Sequence, residues 1–170
     1  MLSSKLQMAL NRQIANEAYA SHYYLSMASW CDKSGLVGSA KFLYAHSEQE
    51  NQHMMKLFSY VNDAGGHAMV QAVKEPPLKF KSISDVFTKV LEHERLVTKN
   101  INGLVDLCLK EKDYSTFNFL QWYVSEQHEE ERLFNSILDL IKIAGVEGRG
   151  LFLIDKEIEK RADVTKGSRK

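Results

Sequence analysis

Residues 46–55 read HSEQENQHMM, with acids and histidines packed beside two methionines. Counted along a helix, Glu50 and His53 are i and i+3 and share a face. Leu43 and Leu57 stand at i−7 and i+7 from Glu50, on the same row. A carboxylate therefore takes a place in an apolar stripe. Whether this stretch is a solvated surface or part of an internal polar layer decides what kind of helical protein the chain forms.

The interruption recurs. One row upstream reads Leu10, Glu17, Tyr24, Cys31; downstream, another reads Phe87, Glu94, Ile101, Cys108, flanked by Val90 and Val97. A last pair of rows reads Leu120, Gln127, Phe134, Ile141 and Tyr123, Glu130, Ile137. On both sides of the adjacent prolines Pro76 and Pro77, the apolar residues recur at helical spacing and not in strict alternation. The pattern predicts a first helix from Ser4 to about Asp32, ended by DKSG with Gly35 as its C-terminal cap. A second runs from about Leu36 to Ala64 and stops at Gly65–Gly66. A third starts near Ile83, capped by Ser82 or Ser84, and runs to about Lys110; a fourth spans about Tyr114 to Ala144. After Gly145, the amphipathic LFLIDKEIEK predicts a short fifth helix within 146–161, and 162–170 reads as a disordered polar tail.

The fold class is thus all-α: a four-helix bundle over residues 1–145 with a short fifth helix. At about 28 residues, each long helix would measure ~42 Å. The short breaks make the first two and the last two long helices antiparallel hairpins. Residues 67–82 hold the proline pair and lack periodicity, and at ~3.3 Å per residue they could run the length of the bundle. Such a long crossover makes the second and third helices parallel to each other.

The bulk numbers narrow the partners. A chain of 170 residues fits one domain with a sizeable core. Lys+Arg and Asp+Glu both number 22, so no net charge favours nucleic acid or an anionic membrane. Cys31 and Cys108 are too few for a disulfide framework or a zinc site of CxxC pairs, and read as small buried side chains in a reducing compartment. The N-terminus MLSSKLQMALNRQ has no continuous apolar run of a secretory signal, and no stretch approaches the ~18 apolar residues of a membrane span. The expected location is the cytoplasm.

A single glutamate in a core row ordinarily marks a mis-phased surface residue. Four interruptions at the middle of four helices are harder to dismiss, because burying an unpaired carboxylate is costly and these rows contain no lysine or arginine. Either the helices rotate away from the core at mid-height, or a cation sits there; carboxylates and one imidazole suit iron or manganese. Glu17 and Glu94 come singly, Glu50–His53 form an E-x-x-H pair, and Gln127–Glu130 form a Q-x-x-E pair. Known di-metal carboxylate bundles carry E-x-x-H on two helices. Here only one helix does, and Val97 stands where a histidine would follow Glu94, so the second metal position depends on carboxylates.

At Glu17, Tyr24, the E-x-x-H of 50–53, HE at 93–94 and FNFLQWYVSEQHEEE at 117–131, the chain closely resembles prokaryotic non-haem ferritins over about residues 1–160. The resemblance implies an iron-storage ferroxidase with a di-iron centre. Fe(II) is oxidised there by O₂ or peroxide and deposited as ferric oxide mineral inside a hollow shell of 24 subunits. It implies that Glu50 bridges two irons, Glu17 and His53 serve one, and Glu94 and Glu130 serve the other. Gln127 would be a nearby polar contact, and Tyr24 a hydrogen-bonding or redox residue beside the pair. Leu151, Phe152, Leu153 and Ile154 of the fifth helix would be buried near a fourfold axis on assembly.

Members of the family also hold a third iron, for which the matching positions are Gln49, Glu126, Glu129 and Glu130. The three acids share a helix face, where like charges repel by ~0.2–0.5 kcal/mol per pair, and a cation would relieve this. Gln49 departs from the usual glutamate and supplies no charge, so a weak or absent third site is expected; Glu48 is rotated by ~100° and is poorly placed to substitute. No haem is expected: the fourth helix lacks a second E-x-x-H, Gln52 precedes His53, and Met54 and Met55 read as packing. His22, His46, His67, His93 and His128 are expected at the surface or one step removed from the site, and Trp122 is better placed than Trp30 to influence oxidation. A cytokine-like signalling bundle is the contrasting class; it would want a signal peptide and disulfides, and it gives no reason for mid-core acids.

Overall fold

The computed structural model describes residues 2–167, with side chains described as far as Ala162. Its helices are α1 (Ser4–Lys33), α2 (Val37–Asp63), α3 (Ile83–Glu111), α4 (Tyr114–Ala144) and α5 (Gly148–Gly167), and the described residues contain no strand. Local chemistry explains most of the ends. Ser3 accepts from the Leu6 N–H, Ser82 from the Asp85 N–H at 3.1 Å, and Asp113 from the Thr116 N–H at 2.9 Å, each satisfying a first-turn donor. After α1 the chain turns through Gly35 at φ +78°, while the Gly35 and Leu36 N–H groups reach back to Asp32 and Cys31 carbonyls at 3.0 and 2.9 Å. That is a Schellman ending, and a side chain at Gly35 would strain it.

α2 has no capping side chain of its own, because Leu36 stands at its N-cap. Asp155 of α5 does that work across space. Its carboxylate accepts from the Gly38 N–H at 2.9 Å, the Ser39 N–H at 2.8 Å and the Ser39 hydroxyl at 2.8 Å. The negative charge also lies at the positive end of the α2 dipole. The approach is so close that a Cβ on Gly38 would lie 2.2 Å from the Asp155 carbonyl oxygen.

The connection between α2 and α3 is strapped to α1. The Gln7 side chain accepts from the His67 N–H at 3.0 Å, and Asn11 bonds Met69 N–H and His67 O at 2.7 and 3.0 Å. Lys74 then lies over the Tyr19 ring, the Pro77 carbonyl accepts from Ser26, and Phe80 packs edge-on to Trp30. As the strap advances from 67 to 80, its partners advance along α1 from 7 to 30. The connection therefore runs the length of the bundle, and α2 and α3 are parallel.

The apolar core falls into two halves. One gathers Ala20–Cys31 side of α1 with Phe42, Leu43, Phe87, Leu91, Phe134 and Ile137. The other gathers Leu6–Ile14 with Leu57, Val61, Val97, Ile101, Leu120 and Tyr123. Residue 17 on α1, 46–53 on α2, 94 on α3 and 127–130 on α4 all fall in the gap between the two halves. The four interrupted rows thus meet at one height and turn inward.

α5 is longer than its sequence suggests. The polar tail expected from residue 162 is, at its start, helix, and the backbone stays helical to Gly167; residues 168–170 of that expectation lie outside the described residues. The physical reason is the stripe Ile154, Ile158, Ala162 at i, i+4 and i+8, which is fully buried against the first core half. Leu151 packs on the same face, whereas Phe152 and Leu153 point outward.

Candidate metal centre

Glu17, Glu50 and His53 each present one ligand atom, and the three atoms lie within 4.8 Å of one another. All three side chains are buried. Gln13, one turn before Glu17, donates to Glu17 Oε1 at 2.8 Å, leaving Oε2 with no hydrogen-bond partner. His53 Nδ1 lies 3.3 Å from Glu50 Oε2, and Tyr123 donates to the His53 carbonyl at 2.7 Å. His53 Nε2 also lacks a hydrogen bond and lies 3.7 Å from Glu126 Oε1. The Trp122 ring packs edge-on to His53, with centroids 5.2 Å apart.

Across the layer, Glu94 is held on both oxygens. Tyr24 donates to Oε1 in a short hydrogen bond, and Gln127 donates to Oε2 at 2.9 Å and to the Glu94 carbonyl at 3.2 Å. Glu130 Oε1 accepts from Gln49 at 2.8 Å, while its Oε2 makes no hydrogen bond and faces His46 Nε2 at 3.5 Å. Glu126 accepts from the same Gln49 amide at 3.0 Å. Glu129 stands exposed at the wall of an outer groove of about 1200 Å³ that Gln49, His53, Trp122 and Glu126 also line.

Electrostatics ties the two groups together through Glu50. Burial holds the Glu17 carboxyl well above the usual carboxylate range, and the Glu50 charge raises it further. Burial does the same to Glu94, reinforced by Glu130. Glu50 is raised by burial against the pull of His53, and it feels Glu94 and Glu130 as well, so it stands between both sets. Burial alone would lower the pKa of His53, but the Glu50 charge and the neighbouring Glu126 carboxylate lift it well above the ordinary imidazole value. Tyr24 is pushed up by burial and then by Glu94, which keeps its phenol protonated. A group of acids that must hold protons to tolerate its own burial is a group that a divalent cation can discharge, releasing those protons.

The donor chemistry fits such cations: carboxylate oxygens with one imidazole suit iron or manganese, and orphaned buried oxygens and nitrogens point into the layer.

Three contributors are not evident from the interrupted rows alone. Gln13 orients Glu17 and is visible in retrospect as its i−4 neighbour. Tyr123 fixes the backbone under His53. His46 is fully buried, its Nδ1 against the Phe42 carbonyl at 3.2 Å and its ring 4.2 Å from Phe42. It shares a face with Glu50 as i−4, which was the available signal. Burial would lower its pKa, but Glu130 outweighs this and raises it. Of the other histidines, His22, His67 and His128 are exposed, and His93 sits half-buried against Tyr19 and Tyr23, where burial pushes it down to about 4.

A ferritin-like domain matches residues 7–144. The chain is 53% identical over 159 residues to the bacterial non-heme ferritin of Campylobacter jejuni, covering 94% of this chain and 95% of that one. It is 43% identical over 158 residues to the bacterial non-heme ferritin of Escherichia coli, covering 93% and 96%. Among solved structures, an open-pore ferritin from the archaeon Archaeoglobus fulgidus superposes with a TM-score of 0.92 at 43% identity, covering 94% of this chain and 98% of that one. A domain match across most of the chain, and relatives this similar over nearly all of it, mean that this protein belongs to the ferritin family.

Proposed function

We propose that this protein stores iron: it takes up Fe(II) as a pair at the buried layer, oxidises it with O₂ or peroxide, and deposits ferric oxide mineral inside a hollow shell. The observation that carries this reading is the layer itself. Carboxylates from four helices meet between two apolar core halves, and no lysine or arginine is buried with them among the described residues. In this reading Glu50 bridges the two irons, Glu17 and His53 bind one, and Glu94 and Glu130 bind the other. Gln127 and Tyr24 hold Glu94 in position, and Gln13 holds Glu17. Each Fe(II) gives up one electron, so a pair reduces one O₂ to peroxide, or one peroxide to water, without releasing a one-electron oxygen species.

The shell of this reading has 24 subunits. Its support in the chain is α5, where Phe152 and Leu153 are 62% and 59% exposed and present an apolar edge that a neighbouring subunit would cover near a fourfold axis. Two free, buried cysteines suit a reducing cytoplasm. No described helix is long and apolar enough to cross a membrane.

Aerobic addition of Fe(II) to the iron-free protein tests the reading. A growing ferric absorbance band, with the protein sizing as a large hollow particle, is the expected result. A monomer that leaves the background oxidation rate unchanged would overturn it.

A further inference from the structure

The groove side of the metal centre is closed by an amide. Gln49 is 5% exposed, and its Nε2 donates at once to Glu126 Oε1 at 3.0 Å and to Glu130 Oε1 at 2.8 Å. The two carboxylates therefore converge on one point, from i and i+4 of the same helix, and the NH₂ group stands at that point. A cation placed there would need lone pairs on every side. The amide nitrogen offers two protons instead. Turning the amide over would set its oxygen against two carboxylate oxygens, so its orientation is fixed by its partners.

The family resemblance implies a third iron beside the pair, drawing on residues 49, 126, 129 and 130. The residues present do not fit it. The donor set is short of one negative charge, the space between two of its carboxylates is taken by hydrogen-bond donors, and Glu129 stands exposed on the groove wall. A neutral donor bonded to both carboxylates also offsets part of the mutual repulsion that would otherwise draw a cation in.

We propose that Gln49 is a specificity-determining and positioning residue that limits this centre to two cations per subunit. It fixes Glu126 and Glu130 by hydrogen bonds where a third cation would otherwise sit. By holding Glu130 Oε1 on the groove side, it leaves Oε2 turned inward, toward His46 and the buried layer. This inference rests on the pair reading proposed above.

The test is an anaerobic titration of the iron-free, assembled protein with Zn²⁺, followed by calorimetry and located by anomalous diffraction. Native protein should bind two tight equivalents per subunit, and Gln49→Glu should bind three, the added ion lying among residues 49, 126 and 130. Three tight equivalents in the native protein, or two in an assembled Gln49→Glu variant, would overturn the proposal. The native arm decides even if the variant does not assemble. Fewer than two equivalents in the native protein, or ions located away from Glu50, would instead bring down the pair reading and this inference with it.

Discussion

Replacing Glu50 by alanine is expected to abolish rapid Fe(II) oxidation while the assembled particle persists. Glu50 interacts electrostatically with Glu17 and His53 on one side of the layer and with Glu94 and Glu130 on the other. In the proposed pair, its loss would remove a ligand from both cation positions at once. Residues that only orient a metal ligand typically cost about 10–100-fold in metal affinity or activity, so a shared ligand should cost at least ~100-fold in initial rate. The particle should survive because Glu50 contributes no apolar packing between the two core halves. Removing a buried acid relieves its desolvation cost but also takes from buried His53 the carboxylate beside it, so the two effects offset and the melting temperature of the metal-free protein should change little. Stopped-flow absorbance gives the rate and calorimetry the stability. An unchanged rate would remove Glu50 from the mechanism; a slow but badly destabilised variant would make the layer a folding device.

Asp155→Ala should show the converse signature, a large loss of stability with little effect on chemistry. The carboxylate takes three hydrogen bonds from the first turn of α2, whose own N-cap residue, Leu36, makes none with its side chain. Losing charged hydrogen bonds and an N-cap together should cost about 2–4 kcal/mol, which for a chain of this length lowers the melting temperature by roughly 5–10 °C. Asp155→Asn should fall between the two, since its amide keeps one acceptor but turns donors toward donors. Glu50 lies twelve residues along α2 from Gly38, about 18 Å at ~1.5 Å per residue, so initial oxidation by variant that remains assembled should stay near the native rate. Calorimetry of the metal-free protein is the measurement. A melting temperature within a degree of native would mean that α5 is held by its apolar stripe alone.

These two residues also mark how far the sequence could be read. Glu50 was legible because a heptad row has a strict expectation at every seventh place, and a carboxylate there is a contradiction that four helices repeat. Helix α4 was legible to both ends because Asp113 and Gly145 are local stop signals flanking a long periodic run. Asp155 was not legible, since a cap supplied from more than a hundred residues away leaves no local pattern at either end. His46 and Gln13 were hidden for a related reason: each lies one turn from a ligand, and only side-chain direction tells an i−4 neighbour that reaches the layer from one that does not. The start of the expected tail was misread because Ala162 is too small to extend an apolar stripe on inspection, although it is buried in place. For Gln49 the residue type alone announced a missing charge; the double hydrogen bond that gives it a role came from the fold.

In the proposed centre, the mid-bundle layer holds two cations that share Glu50. A crystal of the iron-free protein soaked anaerobically with Fe(II), with anomalous data at the iron edge, tests it most directly. Two peaks are expected in each subunit, one among Glu17, Glu50 and His53, the other among Glu50, Glu94 and Glu130. A layer without iron, or iron bound only in the outer groove, would contradict it.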